Sequence, residues 1–216
     1  EYAISMLLNV YRQNETFDRN QLAHEWDSGI QIKEISNQTM TIVGAGAIGE
    51  ELARLAKAFR MKTIGVSRSG KSRENFDQMY QTNEILTALR EADFVVSILP
   101  STEETLYLYK QEHFKQMKDS AVFLNMGRGD VVQSETLIMA LDQKQISHAV
   151  LDVYEQEPLP EMHPLWQHPK VTMTPHISGQ SVHYIPRALA LFEQNLNAYL
   201  GDRSLVVNLI DLERGY

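Results

Sequence analysis

The stretch TMTIVGAGAIGEELARLAKAF, residues Thr39 to Phe59, decides the fold. A β-rich run from Met40 to Val43 enters the pattern Gly44-x-Gly46-x-x-Gly49. A helical pattern follows at once, with Ile48, Leu52, Leu55, Ala56 and Phe59 recurring along one face. Glycine-rich turns are common, but strand, glycine turn and amphipathic helix in this order make a dinucleotide-binding signal. Gly44 allows the tight turn and Gly46 lets the backbone approach a pyrophosphate. Gly49 lets the helix pack near the strand, with the helix N-terminus facing the phosphates.

Outward from this unit, short apolar runs alternate with helical patterns. The runs are Met40–Val43, Lys62–Val66, Phe94–Ile98, Ala121–Asn125, His148–Asp152 and Val171–Met173. They show little polar alternation, as expected of strands covered on both faces. Helices are predicted over Ile48–Phe59, Asn83–Arg90, Ser134–Asp142 and, in pieces, Glu104–Lys118. This rhythm predicts an α/β fold: a doubly wound parallel sheet, Rossmann-like, with flanking crossover helices. Before it, Ala3, Ile4, Leu7, Leu8 and Tyr11 predict a helix over Glu1–Arg12. Residues Asn14 to Gln38 read as polar and irregular, with Trp26 and Ile30 as anchors. Val153 to Lys170 hold four prolines and read as a long irregular loop. A last helix, about Ser181 to Leu200, carries Ile185, Leu189, Leu191, Phe192, Leu196 and Leu200 on a broad apolar face, with Pro186 in its first turn.

Composition narrows the function classes. The 216 residues are 43% hydrophobic, enough for one substantial core or one and a half domains. A formal net charge of −8 argues against nucleic acid, which needs a broad basic surface. The absence of cysteine excludes disulfides and thiolate chemistry. No apolar run approaches the roughly 20 residues of a membrane span, and no signal peptide opens the chain. A soluble cytoplasmic protein with no membrane partner is expected.

The second predicted strand bears on the cofactor. An NAD site wants an acid for the ribose 2′-hydroxyl about 20 residues past the first glycine. Here the strand runs into Ser67-Arg68-Ser69-Gly70-Lys71, and no acid occurs from Phe59 to Arg73. Arg68 can stack on an adenine and grip a 2′-phosphate, with Ser67 and Ser69 beside it. NADP is favoured over NAD; the plain alternative is a solvated basic turn.

Three further segments each follow a predicted strand: Asn125-Met-Gly-Arg128-Gly-Asp130, Leu151 to Pro158, and Thr174-Pro-His176. Open α/β sheets place their ligands at such ends. An arginine, a carboxylate and a histidine beside a nicotinamide supply what reduction of a 2-keto acid requires. Arg128 can grip the substrate carboxylate, and His176 can protonate the carbonyl oxygen as hydride arrives. Glu157 can hold the imidazole in one tautomer and favour its charged form.

With GAGAIG, SILPSTEET (Ser97 to Thr105), NMGRGDVV, LDVYEQEPLP, PLWQHPKVTMTPH and the closing RGY, the chain resembles the D-2-hydroxyacid dehydrogenase family, most of all its NADPH-dependent glyoxylate/hydroxypyruvate reductases. The resemblance implies Arg128, Glu157 and His176 as the catalytic set and Asp152 as the holder of the nicotinamide carboxamide. Leu99, Pro100 and Thr105 then line the adenosine and diphosphate side. Ala47, Ile48, Met126, Gly127, Ser178 and Gly179 complete the cofactor contacts. It also implies a small 2-keto acid or 2-hydroxy acid as substrate, and a homodimer. Members of the family begin with a separate substrate-binding lobe. The expectation is therefore a cofactor domain over residues 1–180, including the crossover helix. Residues 181–216 form a return helix and tail that pack on a lobe this chain lacks, so that turnover by the chain alone is in question.

Plainer readings stand beside these. Arg128 can be a structural salt-bridge partner, Glu157 a solvated loop acid, Asp152 a strand-end cap and His176 a satisfied core histidine. His163, His168 and His176 lack the spacing and second shell of a metal site, and no metal is expected. Among function classes, the alternatives are a non-catalytic dinucleotide-binding or corepressor-like module and an NAD-dependent, phosphoglycerate dehydrogenase-like enzyme.

Overall fold

The strands form because their apolar residues are covered from both sides. The computed structural model describes residues 1–201 and 207–209; the closing Arg214-Gly215-Tyr216 lies outside the described residues. In chain order, helices α1 (Tyr2–Tyr11) and α2 (Asn14–Ala23) precede strand β1 (Thr39–Val43). Then come α3 (Ala47–Ala58), β2 (Lys62–Ser67), β3 (Gln78–Gln81), α4 (Ile85–Arg90) and β4 (Phe94–Ser97). The chain continues through α5 (Gln111–Gln116), β5 (Val122–Asn125), α6 (Ser134–Asp142), β6 (His148–Leu151), β7 (Val171–Met173) and α7 (Tyr184–Leu200). The seven strands make one sheet in the order β3-β2-β1-β4-β5-β6-β7, every pairing parallel. This is the doubly wound, Rossmann-like architecture.

Alternate residues of the central strands feed two cores. On one face Met40, Ile42, Phe94, Val96, Val122, Leu124 and Val150 meet Ala3, Ile4, Leu7 and Tyr11 of α1 and Leu52, Ala53 and Ala56 of α3. On the other face Ile64, Val95, Phe123 and Ala149 meet Ala88 and Leu89 of α4, Phe114 of α5 and Leu137 and Leu141 of α6. Tyr109 and Phe114 both stand edge-on to Phe123, at centroid distances of 5.0 and 5.5 Å. Each such fully buried large side chain is worth roughly 1.5–3 kcal/mol over its exposed state.

Several expectations need correction. Residues 14–38 are not irregular throughout, since α2 occupies Asn14–Ala23. Its residues are polar and none is buried, so no apolar stripe marks it. Trp26 is 97% exposed and anchors nothing; Ile35 is the buried residue of that segment. Strand β3 was not expected: its sequence, QMYQ, is polar because it lies at the sheet edge with one neighbour. Of Glu104–Lys118 only Gln111–Gln116 is α-helical, and Tyr109 instead bridges to Val132. On α3 the buried face is Gly49, Leu52, Ala53 and Ala56, while Ile48 and Phe59 are exposed. The 153–170 loop contains one short 3-10 turn, Pro164–Gln167.

The chain divides into two compact units, Glu1–His176 and Ile177–Tyr216. In the second, Pro186 falls in the first turn of α7, where its missing N–H costs nothing. Ile185, Leu189, Phe192 and Leu200 of that helix are 60–72% exposed.

Candidate active site

The register of the sheet puts the sequence motifs side by side. Val66, Val43, Ser97, Asn125, Leu151 and Met173 form one row across five neighbouring strand pairs. The residues that follow them therefore lie together at its C-terminal edge: Ser67, the last residue of β2, and Gly44, Ile98, Met126, Asp152 and Thr174, which leave the sheet.

At β1 the turn is built as a phosphate site requires. Gly44 has φ +102°, and a β-carbon on it would lie 2.6 Å from the Ile98 carbonyl oxygen. A β-carbon on Gly46 meets no heavy atom within 4 Å, so the space in front of the turn is open. Gly49 backs closely onto the Gly44 carbonyl. The N–H groups of Gly44 and Ala45 donate to the Val66 carbonyl and that of Gly46 to the Gly44 carbonyl. The α3 ladder begins with the Glu50 N–H on the Gly46 oxygen, so the amides at the helix start, Ala47 to Gly49, are the ones that face an anion. Ala47, Ile48 and Met126 line a cleft of about 340 Å³ with Ala3, Leu52 and Leu55. The open backbone and helix start fit the pyrophosphate of a dinucleotide, while Glu1 and Glu51 also line the cleft.

The basic turn after β2 is exposed at Arg68 and Ser69. Ser67 Oγ accepts the Gly70 N–H at 3.2 Å and Ser69 Oγ that of Lys71 at 3.4 Å, which folds the turn on itself. The acid Asp77 lies at the other end of β2, accepting from the Thr63 N–H and pairing with Lys57. After β4, Leu99 packs against the core. Thr105 Oγ1 closes a turn by donating to the Pro100 carbonyl at 2.7 Å and accepting the Thr102 N–H at 2.9 Å.

After β5 the loop is organised by Asn125, which is buried. Its Nδ2 donates to the Arg128 carbonyl at 2.8 Å and its Oδ1 accepts the Gly127 N–H at 3.3 Å. Arg128 itself is exposed, with Nη1 on the Gly127 carbonyl at 2.8 Å. Next to it, Gly129 touches the backbone of Tyr154. The arginine loop is thus seated on the loop that carries Glu157.

After β6 and β7 the remaining predicted residues interlock. The Asp152 N–H donates to the Asn125 carbonyl at 3.0 Å, and its own carbonyl accepts the His176 N–H at 2.8 Å. Asp152 is fully buried, and its Oδ1 accepts from Thr174 Oγ1 at 2.6 Å. Glu157 uses both oxygens: Oε1 accepts the Tyr154 N–H at 3.0 Å, and Oε2 lies 2.7 Å from His176 Nδ1. With side chains 47% and 35% exposed, this pair adds little stability, and its effect is to orient the ring. A carboxylate at this distance accepts from Nδ1, which favours the tautomer with the proton on Nδ1. His176 sits at φ +54°, a left-handed conformation that costs a non-glycine residue about 1–2 kcal/mol.

Two tyrosines missed from the sequence complete this cluster. The single O–H of Tyr154 is shared between the carbonyls of Thr174 and Leu151, at 2.9 and 3.1 Å. Tyr2 OH lies 2.6 Å from Thr174 Oγ1. Burial, above all, pushes the Tyr2 phenol up to about 12 against the lowering effect of its Thr174 bond, and burial pushes Tyr154 higher still. Asn125 was detectable as a turn-forming Asn at a strand end; Tyr2 had no such signal. Ser178 and Gly179 belong to the second compact unit. Among the described residues no group of three His, Cys, Asp or Glu is placed to hold a metal ion. His163 Nδ1 instead accepts the Leu165 N–H, and His168 faces Asp142. No described helix is long and apolar enough to cross a membrane.

Comparison with known proteins shows the family to which this fold belongs. The family described as D-isomer specific 2-hydroxyacid dehydrogenase, NAD binding domain, matches residues 4–178. A D-isomer specific 2-hydroxyacid dehydrogenase family protein from Aeromonas salmonicida superposes with a TM-score of 0.90 at 35% identity, covering 97% of this chain and 67% of its own. Phosphoglycerate dehydrogenase from Lactobacillus plantarum gives 0.81 at 37% identity, covering 97% of this chain and 68% of its own. NADPH-dependent glyoxylate/hydroxypyruvate reductase from Sinorhizobium meliloti, in complex with NADP and sulfate, gives 0.89 at 27% identity, over 100% and 68%. The chain belongs to the D-isomer specific 2-hydroxyacid dehydrogenases, NAD(P)-dependent oxidoreductases, and carries their NAD-binding domain.

Proposed function

We propose that the protein reduces a small 2-keto acid of the glyoxylate or hydroxypyruvate type to the D-2-hydroxy acid, with NADPH as the reductant. The observation that carries this reading is the His176–Glu157 pair, Nδ1 to Oε2 at 2.7 Å, at the same sheet edge as the glycine turn and the arginine loop. A binding module has no need of an oriented proton donor.

In this reading a bound reduced nicotinamide supplies the hydride. His176 delivers a proton from Nε2 to the substrate's carbonyl oxygen, while Glu157 stabilises the charged ring and holds its orientation. Arg128 binds the substrate carboxylate through its guanidinium fork. Asp152 holds the carboxamide end of the cofactor. Gly44, Gly46, Ala47, Ile48 and Gly49 receive the pyrophosphate, with Leu99, Pro100, Thr105, Met126 and Gly127 around the remainder. Ser67, Arg68 and Ser69 receive the 2′-phosphate. The exposed Arg68 and the remoteness of Asp77 support NADP over NAD.

Residues 1–180 make the cofactor domain in this proposal, and 181–216 pack on a substrate-binding lobe. The relatives' greater length and the apolar surface of α7 support that division. We also place the protein in the cytoplasm as a homodimer, which size-exclusion chromatography with light scattering checks. Mixing it with NADPH and glyoxylate or hydroxypyruvate, and following loss of reduced-cofactor absorbance, tests the activity. The 37% identity to a phosphoglycerate dehydrogenase favours a second reading, an NAD-dependent enzyme of larger 2-hydroxy acids. The same assay run with NADH and a phosphorylated keto acid separates the two.

A further inference from the structure

We propose that Tyr2, Thr174 and Tyr154 are positioning residues for the His176–Glu157 pair, acting through one ordered network of hydrogen bonds. The inference rests on His176 being the proton donor of the reaction proposed above.

The order of the network follows from donor counting. Thr174 has one hydroxyl hydrogen, which goes to Asp152 Oδ1 at 2.6 Å. The 2.6 Å contact between Tyr2 OH and Thr174 Oγ1 must therefore be donated by Tyr2. The chain runs in one direction, from Tyr2 to Thr174 to the Asp152 carboxylate. Bonds ending on a charged acceptor are short and strong, and serial bonds polarise one another. The raised pKa of Tyr2 keeps its proton in place throughout the neutral range.

Both ends of the network bear on His176. Its backbone N–H is accepted by the carbonyl of Asp152 at 2.8 Å and faces that of Thr174 at 3.1 Å. Two of the chain's three residues, Thr174 and Asp152, are therefore also the ones whose carbonyls hold the left-handed turn at φ +54°. Such a conformation persists only where its surroundings over-determine it. Tyr154 ties the other partner to the same point. Its OH is on the Thr174 carbonyl and its N–H is on Glu157 Oε1. One residue thus sets the separation between the turn that carries the imidazole and the carboxylate that orients it. Tyr2 contributes from α1, 172 positions away in sequence.

The test compares Thr174→Val, Thr174→Ser and Tyr154→Phe with the parent chain, with Tyr2→Phe as a second, minimal deletion. Two readouts are taken: kcat against KM for cofactor and keto acid, and the tautomer ratio of His176 from imidazole nitrogen chemical shifts at a pH where the ring is neutral. His176→Gln assigns the signals. In the parent the Nδ1–H tautomer dominates. In Thr174→Val and Tyr154→Phe the ratio shifts toward Nε2–H, and kcat falls roughly tenfold, the scale of one lost hydrogen bond. KM for the cofactor changes little, Thr174→Ser restores both readouts, and Tyr2→Phe shows a smaller shift of the same sign. A parent-like tautomer ratio in Tyr2→Phe and Tyr154→Phe overturns the proposal, as does Thr174→Ser behaving like Thr174→Val. If the parent oxidises NADPH with no keto acid, the reductase reading fails, while the tautomer ratio still decides the positioning network.

Discussion

Gly129 lies so close to Tyr154 that a β-carbon on it would stand 1.9 Å from the Tyr154 carbonyl carbon and oxygen. The contact joins the loop of Arg128 to the loop of Glu157, backbone against backbone. Neither segment can yield by rotating a side chain. Gly129→Ala must therefore push Tyr154 away and release the Glu157 bond to its N–H. Stability should fall by about 1–3 kcal/mol, as for overpacking, and kcat should fall with it. A Gly129→Ala protein with parental melting and parental kcat would show that the two loops are not coupled.

Glu157→Gln tests the orientation of His176 without changing the size of the side chain. The amide can offer an N–H to Nδ1, which turns Nδ1 into an acceptor and moves the ring's proton to Nε2. The charged ring also loses its counter-charge. Reduction should slow by on the order of a hundredfold or more in kcat. Cofactor affinity, measured by fluorescence titration, should hold. Equal kcat in both proteins removes Glu157 from the reaction.

Arg68→Asp addresses the cofactor. The substitution places an acceptor for a ribose 2′-hydroxyl where, in the proposed reading, the guanidinium receives a 2′-phosphate. The ratio of kcat/KM for NADPH over NADH should fall by about tenfold or more, the scale of one charge-assisted contact. A preference that does not move assigns Arg68 to solvent.

His148 makes the fold sensitive to acid at a place unrelated to the chemistry. Its Nε2 meets Thr172 Oγ1 at 2.9 Å across β6 and β7. Burial first, then the charges of His168 and Lys170, lower its pKa from 6.5 to about 4. The unfolded chain takes up this proton below pH 6.5, whereas the folded chain resists until about 4. The contribution to stability is complete above pH 6.5 and is lost as pH falls toward 4. The loss is roughly 3 kcal/mol in all. Denaturant midpoints between about pH 7 and pH 5 should fall less steeply in His148→Gln than in the parent. Parallel slopes would mean that the imidazole is solvated.

The sheet was legible because parallel strands covered on both faces are unbroken apolar runs. FVVS and VFLN could be little else once helical patterns were seen between them. Where burial is partial the signal fades. QMYQ, at the edge, has one partner strand and one exposed margin. NETFDRNQLA buries nothing, so its helix left no stripe. Ile48 and Phe59 matched the helical period of α3 but look outward, because the period marks a face and not which neighbour is present to cover it. The placement of the candidate residues at one sheet edge was legible for a related reason. Each motif begins where an apolar run stops, and in a parallel sheet all such points lie on one edge.

By itself, then, the sequence determined the order of apolar runs and helices, the glycine turn, the missing acid after β2 and the candidate residues Arg128, Glu157 and His176 at strand ends. These follow from periodicity and functional groups, which are local properties of the chain. Tertiary structure alone decided which groups meet. Tyr2 reaches Thr174, Gly129 seats on Tyr154, and Glu157 divides its oxygens between an amide and an imidazole. Hydrogen bonds act over about 3 Å, and which atoms come that close depends on strand register and on how loops cross one another at the edge of the sheet. No local pattern encodes that.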